Sequence, residues 1–176
     1  MTNDCVKKIQ ERQSIRRFSN EPIPEETIEE ILMTGFSAPS AGNRQPWRVV
    51  QVMTQEVKDK LAMAAGGQTF LARAPVVFVV CAVPQESAER YGERGSTLYA
   101  LQDTAALTQT ILLTVSLRGY ASCWVGAFDE SEVANVLKIP RGIRPVAILP
   151  IGKMEGKLPL KSHRRAKEEV IIRESF

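Results

Sequence analysis

Histidine is almost absent from this sequence: among 176 residues, His163 is the only one. Metal sites built from several histidines are therefore nearly excluded. Catalysis by a Ser-His-Asp or Cys-His arrangement is also disfavoured, because His163 lies in a basic segment near the C-terminus. If the protein is an enzyme, we expect an organic cofactor to carry its chemistry.

Cysteines and long apolar runs are scarce as well. Cys5, Cys81 and Cys123 are odd in number and widely separated, which predicts free thiols in a reducing compartment rather than a disulfide framework. No signal segment opens the chain, and the apolar runs 74–83 and 105–117 are too short or too interrupted for a membrane span. We expect a soluble, cytoplasmic protein.

Aromatic residues make up only 6% of the chain, and no basic stripe alternates with them, which argues against stacking on nucleic-acid bases. A G-x-G-x-x-G motif after a strand is also missing, which argues against a Rossmann nicotinamide site. The net charge of +3 and the pI near 8.8 favour small anionic ligands over a nucleic-acid surface.

Hydrophobic periodicity predicts one domain over residues 1–176, made of helices and short strands. The predicted helices cover residues 4–12, 24–35, 54–65, 96–117 and 129–139, and the predicted strands cover 49–53, 75–83, 121–128, 145–152 and 170–172. The polar residues 85–95 are expected to form an irregular surface segment that could serve as a substrate lid. The side chains expected to face the interior include Val6, Ile9, Gln10, Trp47, Cys123 and Trp124.

Three guanidinium groups and a hydroxyl are concentrated in residues 11–18. Arg12, Ser14 and Arg16 are spaced two apart, so an extended backbone would place them on one face. Such a face is typical of an anion cradle, because the guanidinium fork suits phosphate and the polar edges of heteroaromatic rings. A solvated basic surface patch explains the octapeptide equally well, and other segments must decide between the two.

Two further segments favour a ligand site. Residues 37–47 are rich in small polar residues and proline, and they form a long loop that offers hydrogen bonds to a ligand. The predicted helix 96–117 is apolar on most sides, so it must be buried at the centre of the domain, at a subunit interface, or both.

Four segments, taken in order, resemble the FMN-dependent nitroreductase family. They are Arg12-x-Ser14-x-Arg16, the run from Pro39 to Trp47, the run Gly119-Tyr120-Ala121-Ser122-Cys123-Trp124-Val125-Gly126-Ala127-Phe128, and Pro150-Ile151-Gly152 before the basic tail. The resemblance implies an α+β fold in which helices flank a mainly antiparallel sheet. It also implies a homodimer with FMN at the interface, in which the C-terminal strand 170–172 adds to the partner's sheet.

The resemblance also implies roles for individual residues. Arg12, Gln13 and Ser14 would bind the FMN phosphate or ribityl chain, and Arg16 would support the reduced ring near N1 and O2. The loop from the other subunit and the later motifs would complete the cofactor site through Pro39, Ser40, Ala41, Asn43, Gln45, Val125, Gly126, Gly152, Lys153, Arg164 and Arg165. Either arginine of the tail pair could meet the phosphate. No side chain is expected to act as the catalytic group, since the flavin carries the chemistry.

The function that the resemblance implies is hydride transfer from NAD(P)H to nitroaromatic, quinone or similar small-molecule acceptors by a two-electron ping-pong mechanism. Two alternatives remain open. A specialised member of the family could dehalogenate a substrate, fragment its own flavin or oxidise an azoline ring. A protein of another class could bind FMN without turnover.

Overall fold

A computed structural model describes residues 2–176, with side chains from Cys5 onward, and shows a four-stranded sheet with helices on both faces. The strands are β1 (Trp47–Val52), β2 (Val76–Ala82), β3 (Ala121–Ser122) and β4 (Arg144–Gly152). The helices are α1 (Thr2–Glu11), α2 (Glu25–Gly35), α3 (Gln55–Ala64), α4 (Phe70–Arg73), α5 (Pro84–Arg94), α6 (Ala100–Leu117), α7 (Glu130–Leu137) and α8 (Lys167–Val170). A 3₁₀ turn covers Ala41–Asn43, and a π-turn covers Gly95–Tyr99.

The sheet order is β1-β2-β4-β3, and every pairing of these strands is antiparallel. All residues of β2 are buried, as expected for an apolar, β-branched run covered on both faces. The expected α+β class with a mainly antiparallel sheet is confirmed.

Alternating side chains of β2 divide the interior into two cores. Val77 and Val79 pack into the core that includes residues of α3, α4 and α7. Phe78 and Val80 pack into the core that includes residues of α2 and α6. The period of two along a strand thus separates the two helical layers.

Helix boundaries follow ordinary capping chemistry. The Asp129 side chain accepts a hydrogen bond of 2.9 Å from the Glu132 amide, which starts α7 as the sequence predicts. Lys138 in the left-handed conformation ends that helix, two residues before the expected stop at Pro140. Helix α6 has nine buried residues, among them Leu107, so the interior position expected for it is confirmed.

Three expected elements differ in the structure. Residues 85–95 are helical rather than irregular, because α5 runs through them into the π-turn. The expected strand 121–128 pairs only at Ala121–Ser122, with one further bridge from Val125 to Ile148, because the chain leaves the sheet edge between them. The expected strand 170–172 is absent from the single chain, which forms a helical turn over Lys167–Val170 and no ladder after it.

Some side chains expected in the interior are exposed. Val6 and Ile9 are 52% and 45% exposed on α1, and Gln10 is exposed as well, since none of the described elements of the chain covers that face. Trp124 is 39% exposed, whereas Trp47 is buried as expected. In the part of the chain that the structure describes, no helix combines the length and the apolar composition needed to cross a membrane.

Candidate functional site

The N-terminal segment 12–19 is held against the far edge of the sheet by backbone hydrogen bonds. The Ile15 amide donates to the Ser122 carbonyl at 2.9 Å, and the Ser19 amide donates to the Lys153 carbonyl at 3.0 Å. Ile15 and Phe18 are 6% and 2% exposed, so they anchor the segment in the core. The polar side chains between them are therefore held in place by packing as well as by hydrogen bonds.

Arg12, Arg16 and Arg17 place three positive charges on this segment. Among the described residues, no carboxylate forms an ion pair with Arg12, Arg16 or Arg17. The Arg16 guanidinium lies 5.9 Å from the centre of the Phe70 ring, within cation–π range. Three unpaired guanidinium groups close together offer donors that suit an anionic ligand.

Ser14 forms a bridge with Ser122, the residue before Cys123, so the Cys123 thiol lies beside the segment. Burial raises the pKa of this thiol, while the charge of Arg16, the hydroxyl of Ser14 and the charge of Arg12 act in the opposite direction. The thiol is 1% exposed, as predicted for a small buried side chain. That the side chains of residues 12, 14 and 16 share one face stays a prediction from their spacing.

Two concave regions flank the segment. One, of about 190 Å³, is lined by Arg12, Gln13 and Tyr120 among others. The second, of about 200 Å³, is lined by Ser14 and Arg16 among others. Both have Ile15 and Met154 in their walls, so they adjoin one another along the same backbone. Unpaired cations beside open volume fit the phosphate and the polar ring edge of a flavin nucleotide.

The C-terminal segment passes beside the same place. In the orientation that satisfies its hydrogen bonds, the Gln13 amide group donates to the carbonyl oxygens of Pro159 and Leu160 at 3.3 Å each. Arg164 and Arg165 follow a few residues later and are exposed. None of the contacts described for this part of the chain joins either of them to Arg12.

Residues of the two later motifs lie nearby. Val125 is buried and exchanges backbone hydrogen bonds of 2.9 Å with Ile148, whereas Gly126 is exposed. Lys153 forms an ion pair with Glu21, which raises the pKa of the lysine. Lys153 therefore already has an anionic partner, unlike the arginines of the N-terminal segment.

Packing within this chain explains why residue 152 is a glycine. A Cβ added there would lie 2.7 Å from Cδ of Pro75 and 3.3 Å from Cβ of Phe18. Only glycine lets the end of β4 approach these two side chains. The packing of the chain itself thus accounts for this glycine, apart from any space that a ligand requires.

The loop 38–46 has internal hydrogen bonds and an unusual backbone conformation. The Ser40 hydroxyl accepts a hydrogen bond of 3.0 Å from the Gln45 amide. Gly42, Asn43 and Gln45 all have positive φ angles, at 54°, 55° and 50°. Non-glycine residues rarely adopt this conformation, and such strain is concentrated at functional sites.

Asp103 on α6 fixes this loop, a contact that the sequence did not reveal. Its Oδ1 accepts a hydrogen bond of 3.0 Å from the Ala41 amide, and its Oδ2 is buried without a hydrogen-bond partner among the described residues. Burial raises the pKa of Asp103, and the bond from Ala41 partly offsets the shift. A carboxylate within an otherwise apolar helix is the sequence feature that could have indicated this role.

One chain does not bring all the expected site residues together. The loop contacts α6 at Asp103, near its first turn, whereas the concave region beside Arg12 reaches Ser116 in its last turn. Thirteen residues of helix separate the two contacts by about 20 Å. Arg12, Gln13, Ser14 and Arg16 therefore form one group and Pro39, Ser40, Ala41, Asn43 and Gln45 another.

Comparisons with known proteins agree on a family. A model described as "Nitroreductase family" matches residues 9–69 and 62–153. A protein of Archaeoglobus fulgidus named "Putative NADH dehydrogenase/NAD(P)H nitroreductase" is 35% identical over 153 residues, covering 85% of this chain and 84% of that protein. A Bacillus subtilis protein named "FMN reductase [NAD(P)H]" is 27% identical over 163 residues, covering 85% of this chain and 66% of that protein.

Solved structures give the same result. The structure of B. megaterium NfrA2 superposes with a TM-score of 0.90 at 25% sequence identity, covering 98% of this chain and 75% of that one. The fold therefore matches over nearly the whole length of the chain.

Proposed function

Because the chain belongs to the nitroreductase family, we propose that it is an FMN-dependent oxidoreductase that takes electrons from NAD(P)H. The observation that carries the proposal is the group of unpaired guanidinium groups beside open volume on segment 12–16. Their chemistry suits a nucleotide phosphate and the electron-rich edge of a reduced flavin ring. FMN, when bound, supplies the capacity to accept a hydride from a nicotinamide and to pass two electrons to an acceptor.

Each residue of the N-terminal segment has a binding role in this proposal. Arg12 and Ser14 hold the phosphate or ribityl oxygens, and Arg16 places a fixed positive charge beside the pyrimidine edge of the ring. The buried anchors Ile15 and Phe18 keep the donors in place before the cofactor arrives, which lowers the entropy lost on binding. No side chain of the chain needs to give or take a proton, since solvent can supply it.

A second copy of the chain completes the site. The loop 39–45 lies about 20 Å along α6 from segment 12–16, so a loop from another subunit is needed to meet the flavin held by Arg12. Exposed apolar side chains provide surface for such an association, with Val170, Ile171 and Ile172 at 63%, 60% and 49% exposed. A homodimer covers these side chains by pairing residues 170–172 of each copy with its partner's sheet. Arg164 and Arg165 are then carried towards the phosphate.

The acceptors that suit this arrangement are small electron-poor molecules such as nitroaromatics and quinones. A two-electron ping-pong cycle accounts for them, because donor and acceptor use the same face in turn. The specialised reactions of the alternative hypothesis require a lid that grips one substrate. Most of the residues 85–95, where that lid was expected, lie in helix α5, and a helix can serve as a lid as well as a loop can, so both hypotheses stay open.

The first test is an absorbance spectrum of the protein loaded with FMN, before and after anaerobic addition of NADPH and then NADH. We expect a bound flavin whose absorbance is lost on reduction by at least one donor. Arg12→Ala and Arg16→Ala should each weaken FMN binding about tenfold or more, since a charge-assisted hydrogen bond contributes roughly 1.5–3 kcal/mol. Arg141→Ala, an exposed arginine in the turn before β4, is the charge-matched control.

The possible results separate the hypotheses. Flavin that binds but resists both donors supports an FMN-binding protein without turnover. Failure to bind FMN, or binding that is as tight in Arg12→Ala as in Arg141→Ala, contradicts the proposed cofactor site.

A further inference from the structure

A tight helical hairpin lies between β2 and α6. Helix α5 stops being regular at Gly92, whose φ of 56° and ψ of −140° suit only glycine. The π-turn Gly95–Tyr99 then packs back against α5, and a Cβ on Gly95 would lie 2.4 Å from the Ser87 carbonyl oxygen. Gly92 is required by its backbone conformation and Gly95 by the closeness of Ser87, so the hairpin depends on both glycines. Single π-turns of this kind occur frequently at functional sites.

The hairpin carries a tyrosine–arginine patch made of Arg90, Tyr91, Arg94 and Tyr99. The two tyrosine rings meet edge to face, with centroids 5.2 Å apart. Arg90 lies 5.4 Å from the centre of the Tyr91 ring, and Arg94 lies 5.3 Å from that of Tyr99. The Arg94 Nε also donates to the Tyr99 hydroxyl at 2.9 Å. Each guanidinium group therefore lies over the face of a tyrosine ring.

Nearby carboxylates do not neutralise this patch. Glu86 pairs with Arg48 and Glu89 pairs with Arg44, so two acidic side chains of α5 are engaged elsewhere. Glu93 is exposed and forms no ion pair within the described chain. Arg90 and Arg94 are exposed and likewise lack a carboxylate partner among the described residues. Their outward N–H groups remain able to donate to an anion.

The patch adjoins the loop 38–46. A Cβ on Gly42 would lie 2.4 Å from the Tyr91 hydroxyl and 2.9 Å from Nη1 of Arg90. The Arg44 Nε donates to the Glu86 carbonyl at 2.9 Å, which fixes the loop to α5. The patch therefore keeps a fixed position relative to Ser40 and Ala41. In the proposed function, those two residues face the flavin bound mainly by a second subunit.

We propose that the tyrosine–arginine patch binds the anionic group of a ring-bearing substrate as that substrate docks on the flavin, an inference that rests on the proposed function. Stacked guanidinium groups suit phosphates and carboxylates, and the tyrosines offer apolar faces for a ring. Two substrates carry this chemistry: a phosphate-bearing nicotinamide donor and a carboxylate-bearing aromatic acceptor.

The test uses FMN-loaded protein and measures the two half-reactions separately by stopped-flow absorbance. The donors are NADPH and NADH. The acceptors are 4-nitrobenzoate, which is anionic, and 4-nitrobenzyl alcohol, which is neutral and of similar size. The double variant Arg90→Ala/Arg94→Ala is compared with Arg90→Lys/Arg94→Lys, which keeps the charge but loses the planar stacking. Arg141→Ala again controls for the loss of a positive charge elsewhere on the surface, and the lysine double variant separates the loss of the two patch charges from the loss of stacking.

We expect the alanine double variant to lower the second-order rate constant for at least one anionic substrate tenfold or more. The rate constant for 4-nitrobenzyl alcohol should stay within twofold of that of the unmodified protein. A loss confined to NADPH assigns the patch to the 2′-phosphate, and an equal loss for NADPH and NADH assigns it to the pyrophosphate. A loss confined to 4-nitrobenzoate assigns it to the acceptor.

Two results would overturn the inference while leaving the proposed function intact. In one, FMN binds and is reduced, yet all four rate constants stay within twofold. In the other, the neutral acceptor is slowed as much as the anionic substrates, which indicates general damage to the site. If the unmodified protein binds no FMN, the proposed function fails and this inference fails with it.

Discussion

At the scale of single residues, Asp103 connects the loop 38–46 with the stability of the protein. Its side chain is 6% exposed, and one oxygen satisfies the Ala41 amide while the other has no described partner. A buried carboxylate is costly when ionised, which is why its pKa is raised. Asp103 therefore positions the loop, and the free energy that its burial costs depends on pH.

Replacement of Asp103 by asparagine or alanine separates these two effects. Asp103→Asn keeps an oxygen that can accept from Ala41, whereas Asp103→Ala leaves that amide unpaired. We expect the alanine variant to lose about 1–3 kcal/mol of unfolding free energy relative to the asparagine variant. It should also bind FMN more weakly. Chemical denaturation and FMN titration measure the two effects, and equal behaviour of the two variants would contradict the positioning role.

The pH dependence of stability has a definite sign at Asp103. A folded-state pKa above the ordinary value means that the folded chain binds the proton more tightly, so stability falls as pH rises through the raised pKa. The asparagine variant lacks this titration. Denaturation curves between about pH 4 and pH 8 should therefore show the unmodified protein losing stability relative to Asp103→Asn as pH rises.

At the scale of elements, the hairpin of α5 and the π-turn depends on a glycine at its closest contact. Gly95→Ala would place a Cβ 2.4 Å from a backbone oxygen of Ser87, which cannot move without shifting α5. We expect a loss of about 1–3 kcal/mol of unfolding free energy, typical of overpacking. Gly126→Ala is the matched control, because its Cβ would meet only Trp124 Nε1, at 3.9 Å.

Thermal unfolding of the two alanine variants checks this expectation. A Gly95→Ala protein as stable as Gly126→Ala would show that the hairpin can relax at no cost. The rigid presentation of Arg94 and Tyr99 would then be in doubt, because Arg94 directly precedes Gly95 and Tyr99 ends the π-turn that Gly95 begins.

At the scale of the whole molecule, the single chain leaves apolar surface exposed at both ends of its sequence. Ile9 on α1 is 45% exposed and Ile171 near the C-terminus is 60% exposed. A dimer that buries such side chains would also bring loop 39–45 of one copy to segment 12–16 of the other. Association and cofactor binding should therefore be linked.

Ile171→Glu tests this linkage. Sedimentation should give a particle near twice the 19.5 kDa of the chain for the unmodified protein, and a shift towards monomer for the variant. FMN affinity should fall together with association. Ser131→Glu, which adds the same charge at an exposed position of α7, should leave both unchanged. A monomeric protein that retains full FMN affinity would contradict a shared site.

The sequence predicted much of this architecture because the chemistry of neighbouring residues was enough to identify several helices and strands. The apolar, β-branched run 75–83 predicted a strand covered on both faces, and the helix expected from residue 129 begins there with the Asp129 cap. Both predictions depend on a few neighbouring residues, and both are confirmed. The order of the four motifs indicated the family without any tertiary information. The shared face of Arg12, Ser14 and Arg16 stays a prediction from their spacing.

Other features depended on contacts between distant residues. The strand expected over 121–128 is cut short by the sheet edge that it meets. The helical hairpin over 84–99 depends on the backbone conformation of Gly92 and on the packing of Gly95 against Ser87. The bond between Ala41 and Asp103 spans 62 positions of the sequence. The motifs and their order can be read directly from the sequence, so the sequence alone determined the family and, through that resemblance, the expected fold class. Which cations are left unpaired, and which loop they adjoin, were decided only when packing brought separate segments together.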